Sequence, residues 1–497
     1  MNLRPSEQLS DEQVETGLKL VVKDGLAAEA MTALTGGTFL VALALYMGAS
    51  NFQIGLLASL PTFTNIFQLI TIWIVQKYNN RRAIAVVSNF LARFPLLVIG
   101  SLPFLLSHGT SLQVLIFVLF FHYLFGSLAG PSWNSWMKDL VPEKRLGSYF
   151  SHRGRLTQSL NVILSLAIAV SLDYIKAHYP SYEITAYSIM FLIGGAIGML
   201  GVYFLSGTPE PKTQLTNQNI FRLLGKPVKD KNFRKLLTFN AFWLFSINLA
   251  TPFFSVYLMK TIGLPLSYII ALGILTQLSS IFSIKLWGKY SDQFSNKTII
   301  TICAPLYVAC ITAWAFIAMP SSPALTIAEL VVINIFSGIA TAGINLALTN
   351  IGLKLAPKNE SIVYLTSRSM INALFSAIAP IVGGTLADYF GNRELTWSFQ
   401  WKTETGVSIF KLLALEHWSF LFVIGAVLAM LSLRLLKGVK EEGEVTKDTA
   451  VTAMKINFKT RIKESPVNGL ISNTTVLPGY FKKIAGVGKS NILFKKR

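Results

Sequence analysis

The sequence predicts an all-α membrane protein: twelve transmembrane helices arranged as two six-helix bundles. Composition gives the class. Of 497 residues, 52% are hydrophobic and only 14% charged, with mean hydropathy +0.52. A soluble protein carries about a quarter charged residues. The second observation is that apolar runs of bilayer-spanning length, about 20 residues as a helix, recur twelve times along the chain. The third is the placement of the bases between those runs.

In order, residues 1–25 are mostly polar and read as a cytoplasmic segment. No small-residue cleavage pattern follows, so the first apolar run should remain as a membrane helix. The spans are 26–48, 52–75, 83–106, 112–136, 156–176 and 184–206, then 236–258, 264–287, 298–319, 324–348, 363–387 and 416–436. Residues 26–206 and 236–436 therefore form two bundles, an internal symmetry expected of many secondary transporters. The joint 207–235 is polar, basic and proline-containing, as a cytoplasmic linker should be. The joint 388–415 is long. Its end, Ser408–Trp418, has apolar residues at helical spacing, which predicts a short helix lying on the outer surface. Trp397, Trp401 and Trp418 suit the interface. Residues 437–497 read as a basic cytoplasmic tail that suits an anionic lipid surface or disorder.

With the N-terminus inside, 38 of the 44 Lys and Arg fall on the cytoplasmic side. Lys176, Lys260, Arg393, Lys402 and Lys411 fall outside, and Arg93 alone is mid-span. This is the positive-inside rule. It accounts for most of the net charge of +20 without nucleic acid, and it puts both termini in the cytoplasm. Cys303 and Cys310 share one apolar run and read as packing residues.

The stretch Gly288-Lys289-Tyr290-Ser291-Asp292-Gln293-Phe294-Ser295-Asn296-Lys297 is a polar turn between two spans. Its aspartate lies close to a helix end, where it can accept backbone N–H bonds or pair with a base. The matching turn in the first half, Gln76-Lys77-Tyr78-Asn79-Asn80-Arg81-Arg82, keeps the bases but has Gln76 in place of the acid. The spacing resembles the cytoplasmic loop signature of the major facilitator superfamily, G-x-x-x-D-[RK]-x-G-x-[RK]. Gly288, Asp292 and Lys297 match it; Gln293 replaces a base and Ser295 a glycine. Gly48-Ala49-Ser50 with Gln53-Ile54-Gly55-Leu56-Leu57 resembles the junction of the first two superfamily helices. Trp133–Gly147 resembles the loop 4–5 region of poorly characterised bacterial members, and Pro380–Gly384 with Asp388 resembles the end of an eleventh helix. The fifth span lacks the glycine–proline signature of many drug antiporters.

The resemblance implies the major facilitator fold, a bacterial inner-membrane location and a monomer. It also implies that spans 1, 4, 7 and 10 line a central cavity. The candidates for solute contact there are Thr32, Thr35, His122, Asn134, Asn240, Trp243, Asn248, Asn334 and Asn345. Polar groups at membrane depth usually face the bundle interior or water. Amides beside an indole suit a neutral polar or amphipathic solute. Interhelical hydrogen bonding is the alternative for each. Gly36-Gly37 marks close helix approach or a flexible point. Gly288, Asp292 and Lys297 are the candidate gating residues, and Glu29 and His122 the candidate proton-coupling groups. Arg93 reads as a structural partner within the amino-terminal bundle.

The expected partners are a small solute, membrane lipid and, if the carrier is coupled, protons. No cofactor or metal is expected. The five histidines show no metalloprotease spacing, and Ala485–Ser490 is half a phosphate-binding loop with Lys483 where glycine is required. A polytopic enzyme would need clustered acids, histidines or metal ligands. A non-transporting scaffold is the other alternative, which a transport assay separates.

Overall fold

The computed structural model describes residues 4–7, 9–105, 108–212, 225–317, 322–357, 360–403, 406–445 and 448–453. Twelve helices are long and apolar enough to cross a membrane, one for each expected span. They are α1 (Asp11–Tyr46), α2 (Asn51–Tyr78), α3 (Arg81–Leu105), α4 (His108–Leu140), α5 (Leu146–His178) and α6 (Glu183–Ser206), followed by α7 (Lys231–Ile262), α8 (Leu266–Phe294), α9 (Asn296–Trp314), α10 (Pro323–Leu355), α11 (Ser361–Phe390) and α12 (Trp418–Leu436). The Lys- and Arg-rich ends are called inner below, the opposite ends outer.

Local chemistry sets the helix starts. Ser10 with Gln13, and Ser50 with Gln53, are capping boxes in which the serine hydroxyl accepts from the N3 amide and the glutamine side chain accepts from the cap amide. Asp230 caps α7, accepting from the amides of Asn232 at 2.9 Å and Phe233 at 3.0 Å. At mid-length α1 is broken: Gly36 is extended and Gly37 has φ 55°, a left-handed value that glycine tolerates.

The same packing scheme appears twice. α1 packs on α5 and α6, and α3 on α4 and α6; in the second half α7 packs on α11 and α12, and α9 on α10 and α12. Between halves, α2 meets α11 and α5 meets α8. The outer joint between α11 and α12 differs from the expected surface helix. It is an antiparallel hairpin of β1 (Glu394–Thr403) and β2 (Gly406–Glu416), paired from Glu394↔Glu416 to Thr403↔Gly406 with a bulge at Trp397/Ser398. Here a period-two reading wins. Trp397, Phe399 and Trp401 alternate along one strand and Val407 and Ile409 along the other, and aromatic and β-branched residues favour strands. Trp397 is exposed, whereas Trp418 is buried and stacks on Phe253.

The described chain up to residue 444 is one compact unit, and 445–497 is a second in which residues 448–453 are helical. The part of the linker at 213–224 and the pattern at 485–490 lie outside the described residues.

Candidate functional site

At the outer ends the two halves are joined by the same device used twice. Asp173, near the end of α5, accepts from the first two amides of α8, Leu266 and Ser267, both at 2.8 Å. Asp388, near the end of α11, accepts from the first two amides of α2, Asn51 at 3.2 Å and Phe52 at 2.9 Å. A helix start leaves its first amides without intrahelical partners and carries partial positive charge, so a carboxylate placed there is doubly favoured. α5 and α11 hold the same place in their halves, as do α8 and α2. Glycines let α2 and α11 touch backbone to backbone. A Cβ at Gly55 would lie 2.1 Å from the Pro380 carbonyl oxygen, and one at Gly384 2.4 Å from that of Asn51. An outer recess of about 530 Å³ remains between Ala42, Leu172, Lys176, Tyr187 and Met259.

At the inner ends a second repeated device holds each bundle to itself. Glu210, just past α6, caps α3, accepting from the amides of Arg81 at 3.0 Å and Arg82 at 2.9 Å and from Arg81 Nε at 2.9 Å. Arg81 also donates to Asp139 of α4. Glu441, just past α12, caps α9, accepting from Asn296 N at 3.3 Å, Lys297 N at 2.8 Å and Lys354 Nζ of α10 at 3.2 Å. Sequence reading missed both glutamates, although each lies four or five residues past the last helix of its half.

The candidate gating residues are distributed unequally between these networks. Lys297 is buried, its ammonium donating to Val439 O at 2.8 Å and pairing with Glu444 at 2.8 Å. A Cβ at Gly288 would lie 3.9 Å from Leu346 of α10. Asp292 is exposed and has no hydrogen bond or ion pair among the described residues. It lines an inner cavity of about 570 Å³ with Ser291, Asn296, Asn350, Leu353 and Lys354.

The predicted cavity residues divide into two groups. Thr32, Asn134 and Asn345 are exposed, and no atom lies within 4 Å of the Cβ position of Gly37. The others are buried or half-buried. Thr35 is buried against Gly194 of α6, and its hydroxyl donates to Met31 O at 2.8 Å. His122 Nδ1 is 2.6 Å from Ala92 O of α3. Trp243 is buried, with its ring centroid 6.4 Å from that of Tyr307 on α9. Asn334 accepts from Thr276 of α8 at 2.7 Å. Asn248 donates to Leu244 O at 2.8 Å and lies 3.5 Å from Ser376. Asn240 is buried, with both amide atoms lacking a hydrogen-bond partner. Glu29 accepts from Asn161 of α5 at 2.8 Å, not from the bases between α4 and α5.

Arg93 has its partner within the amino-terminal bundle. It donates to Asp24 at 3.0 Å and to Gly198 O at 2.8 Å. The pair fits because α6 presents glycines: a Cβ at Gly201 would lie 2.4 Å from the Arg93 guanidinium and 3.0 Å from Asp24 Oδ1. The signal in the sequence was Gly194, Gly195, Gly198 and Gly201 along one span.

Twelve membrane-length helices packed by one scheme used twice define a polytopic helical membrane protein. The Major Facilitator Superfamily profile matches residues 26–361, and the chain belongs to that superfamily. Among solved structures, the nucleoside transporter NupG matches with TM-score 0.63 and 13% identity, covering 86% of this chain and 100% of its own. The xylose transporter XylE from E. coli, in an inward-open conformation, matches with TM-score 0.59 and 13% identity, covering 88% and 99%. A bacterial homologue of the lysosomal transporter Spinster matches with TM-score 0.57 and 13% identity, covering 88% and 100%. At these identities the likeness is one of fold. No curated protein matches the sequence.

Proposed function

We propose that this protein is a secondary active transporter carrying a small polar or amphipathic solute across the bacterial inner membrane by alternating access, and that the state described is inward-open. The observation that carries the reading is the paired outer closure. Asp173 and Asp388 tie α5 to α8 and α11 to α2 across the interface between the halves. Asp292, by contrast, is left free at the inner end of α8. α5 and α8 meet in opposite directions, so the mirror image of the outer contact is Asp292 capping the inner start of α5. In the outward-open state Asp292 makes that contact and the two outer carboxylates release theirs. Its first-half counterpart Gln76 is uncharged, so the inner lock is asymmetric.

Glu29 is the proposed proton-coupling group, since it is half-buried on a pathway helix and bonded to α5 across the bundle. Of the predicted solute contacts, Thr32, Asn134 and Asn345 keep that role, because they are exposed. The protein works as a monomer with both termini cytoplasmic.

The test is uptake in proteoliposomes under an imposed proton gradient, over a panel of sugars, amino acids, nucleosides and organic acids. Saturable accumulation of one class supports the reading. A protein that inserts and folds but moves nothing in the panel, in exchange or in net uptake, is a scaffold.

A further inference from the structure

α5 and α8 belong to different halves and run in opposite directions. At their outer ends they touch, Asp173 accepting from Leu266 N and Ser267 N at 2.8 Å. Further in they stand apart around a cavity of about 410 Å³. One face of each helix lines it, with Arg155, Gln158 and Ile163 on α5 and Gln277, Leu278 and Ile281 on α8. At a rise of 1.5 Å per residue, Ile163 lies about 15 Å inward of Asp173. Counting inward from the outer contact brings Ile163 opposite Gln277, and Arg155 marks the inner end of the cavity, at the edge of the expected span 156–176.

Two observations say what the cavity takes. Its walls are apolar and open: Ile163, Leu278 and Ile281 are all exposed at bilayer depth. A contiguous exposed apolar surface marks a binding groove or a membrane contact. Its inner end is basic. Arg155, Gln158 and Gln277 make no hydrogen bond or ion pair among the described residues, and no described carboxylate lines the cavity. A guanidinium offers five donors in a rigid fork that matches a phosphate, and bases at the inner surface attract anionic lipid. A base at the interface with an apolar slot beneath it matches a phospholipid, headgroup level with Arg155 and chain below. A small soluble anion would leave the slot empty, and a neutral hydrocarbon would make no use of the guanidinium.

We propose that the seam between α5 and α8 binds one anionic phospholipid of the inner leaflet, its phosphate on Arg155 and one acyl chain between Ile163 and Leu278, and that this lipid holds the protein inward-open. The second half follows from where the site lies. The two helices must approach along this seam when Asp292 caps the inner start of α5. A chain lodged there fits the state described and not the outward-open one, and a ligand that binds one of two states shifts the balance toward it. The effect on state rests on the carrier reading above; the binding site does not.

Delipidated protein in detergent is titrated with pyrene-labelled phosphatidylglycerol, and unlabelled lipids compete. Phosphatidylglycerol should compete about tenfold better than phosphatidylcholine, the worth of a charge-assisted contact, and inorganic phosphate should not compete. Arg155→Gln should bring phosphatidylglycerol down to the level of phosphatidylcholine. Lys138→Gln, at an exposed inner base, should change nothing. Ile163→Trp with Leu278→Trp fills the slot and should remove competition by both lipids. Both positions are exposed, so folding should be spared, and each single variant should show part of the loss. Unchanged phosphatidylglycerol affinity in Arg155→Gln, or in the double tryptophan variant, overturns the site. Equal competition by inorganic phosphate makes the occupant a free anion, and a dimer that the tryptophans dissociate makes it a second copy; either overturns the lipid. The state is read in nanodiscs through Ala42→Cys in the outer recess. A membrane-impermeant maleimide should react about tenfold more slowly in phosphatidylglycerol than in phosphatidylcholine. Arg155→Gln should erase that difference, and the tryptophans should slow the reaction in both lipids. Equal rates in the two lipids overturn the effect on state. Uptake separates this inference from the carrier reading: transport with no lipid binding sinks the inference and spares the carrier. Lipid binding through Arg155 without transport of any solute sinks the carrier and spares the site.

Discussion

Ser295 stands where the superfamily signature has glycine, and its backbone explains the family's choice. It adopts φ 87° and ψ 154°, a region essentially reserved for glycine. Holding a side chain there costs about 1–3 kcal/mol. The serine offsets part of this by capping α9: its hydroxyl accepts from Thr298 N at 3.3 Å and is 3.0 Å from Thr298 Oγ1. Replacing such a cap by alanine costs about 1 kcal/mol, by glycine only a few tenths. Ser295→Gly removes the strain and loses little, so it should raise the midpoint of thermal unfolding in detergent. Ser295→Ala keeps the strain and loses the cap, so it should lower it. Equal midpoints for alanine and wild type would mean that the cap contributes nothing. The equivalent turn of the first half solves the same problem with Asn79 at φ 45°, a residue that tolerates left-handed backbone.

At the scale of the helix, the four carboxylate–amide contacts at the outer ends should set the balance between states. Asp388→Ala or Asp173→Ala removes a charge-assisted cap worth roughly 1.5–3 kcal/mol, which shifts a two-state ratio about tenfold or more. Ala42→Cys places a reporter in the outer recess, and the native Cys303 and Cys310 are buried and leave the background clean. Reaction with a membrane-impermeant maleimide should quicken in both outer variants. Asp292→Asn should act in the opposite sense, slowing the reaction by weakening the inner lock, and Gln76→Ala should do less. Faster labelling in Asp292→Asn would place that residue on the wrong side of the equilibrium. The spans were legible because the bilayer fixes their length and the turn chemistry their ends. The rotation of each helix was not. A membrane helix is apolar toward lipid and toward its neighbours alike, so no amphipathic stripe assigns its faces. The contacts of His122 with α3 and of Trp243 with α9 are of this kind: helix number alone does not give them. Asp173 and Asp388 were unreadable as a pair because each acts on a helix start more than ninety residues away.

For the whole molecule, the 38 inner bases predict that tags at residue 220 and at the C-terminus are reached only from the cytoplasm, and a tag at residue 400 only from outside. Exterior access to residue 220 would reverse the orientation and make Asp173 and Asp388 an inner gate. Within that orientation, coupling requires one group that changes charge and is exposed alternately to the two sides. Glu29, half-buried and accepting from Asn161 of α5 at 2.8 Å, is the group proposed above for this role. Glu29→Gln keeps the shape and still accepts from Asn161, so folding should be spared while the charge change is lost. The variant should exchange labelled for unlabelled solute across proteoliposomes at near the wild-type rate, because exchange need not release the proton. It should fail to accumulate solute against its gradient when the lumen is made alkaline. His122→Ala serves as the contrast. Its Nδ1 lies 2.6 Å from the Ala92 carbonyl of α3, so removal should lower the thermal midpoint and leave accumulation intact. Accumulation that survives Glu29→Gln moves the coupling elsewhere, and testing uptake with a sodium gradient in place of the proton gradient then distinguishes sodium coupling from facilitated diffusion.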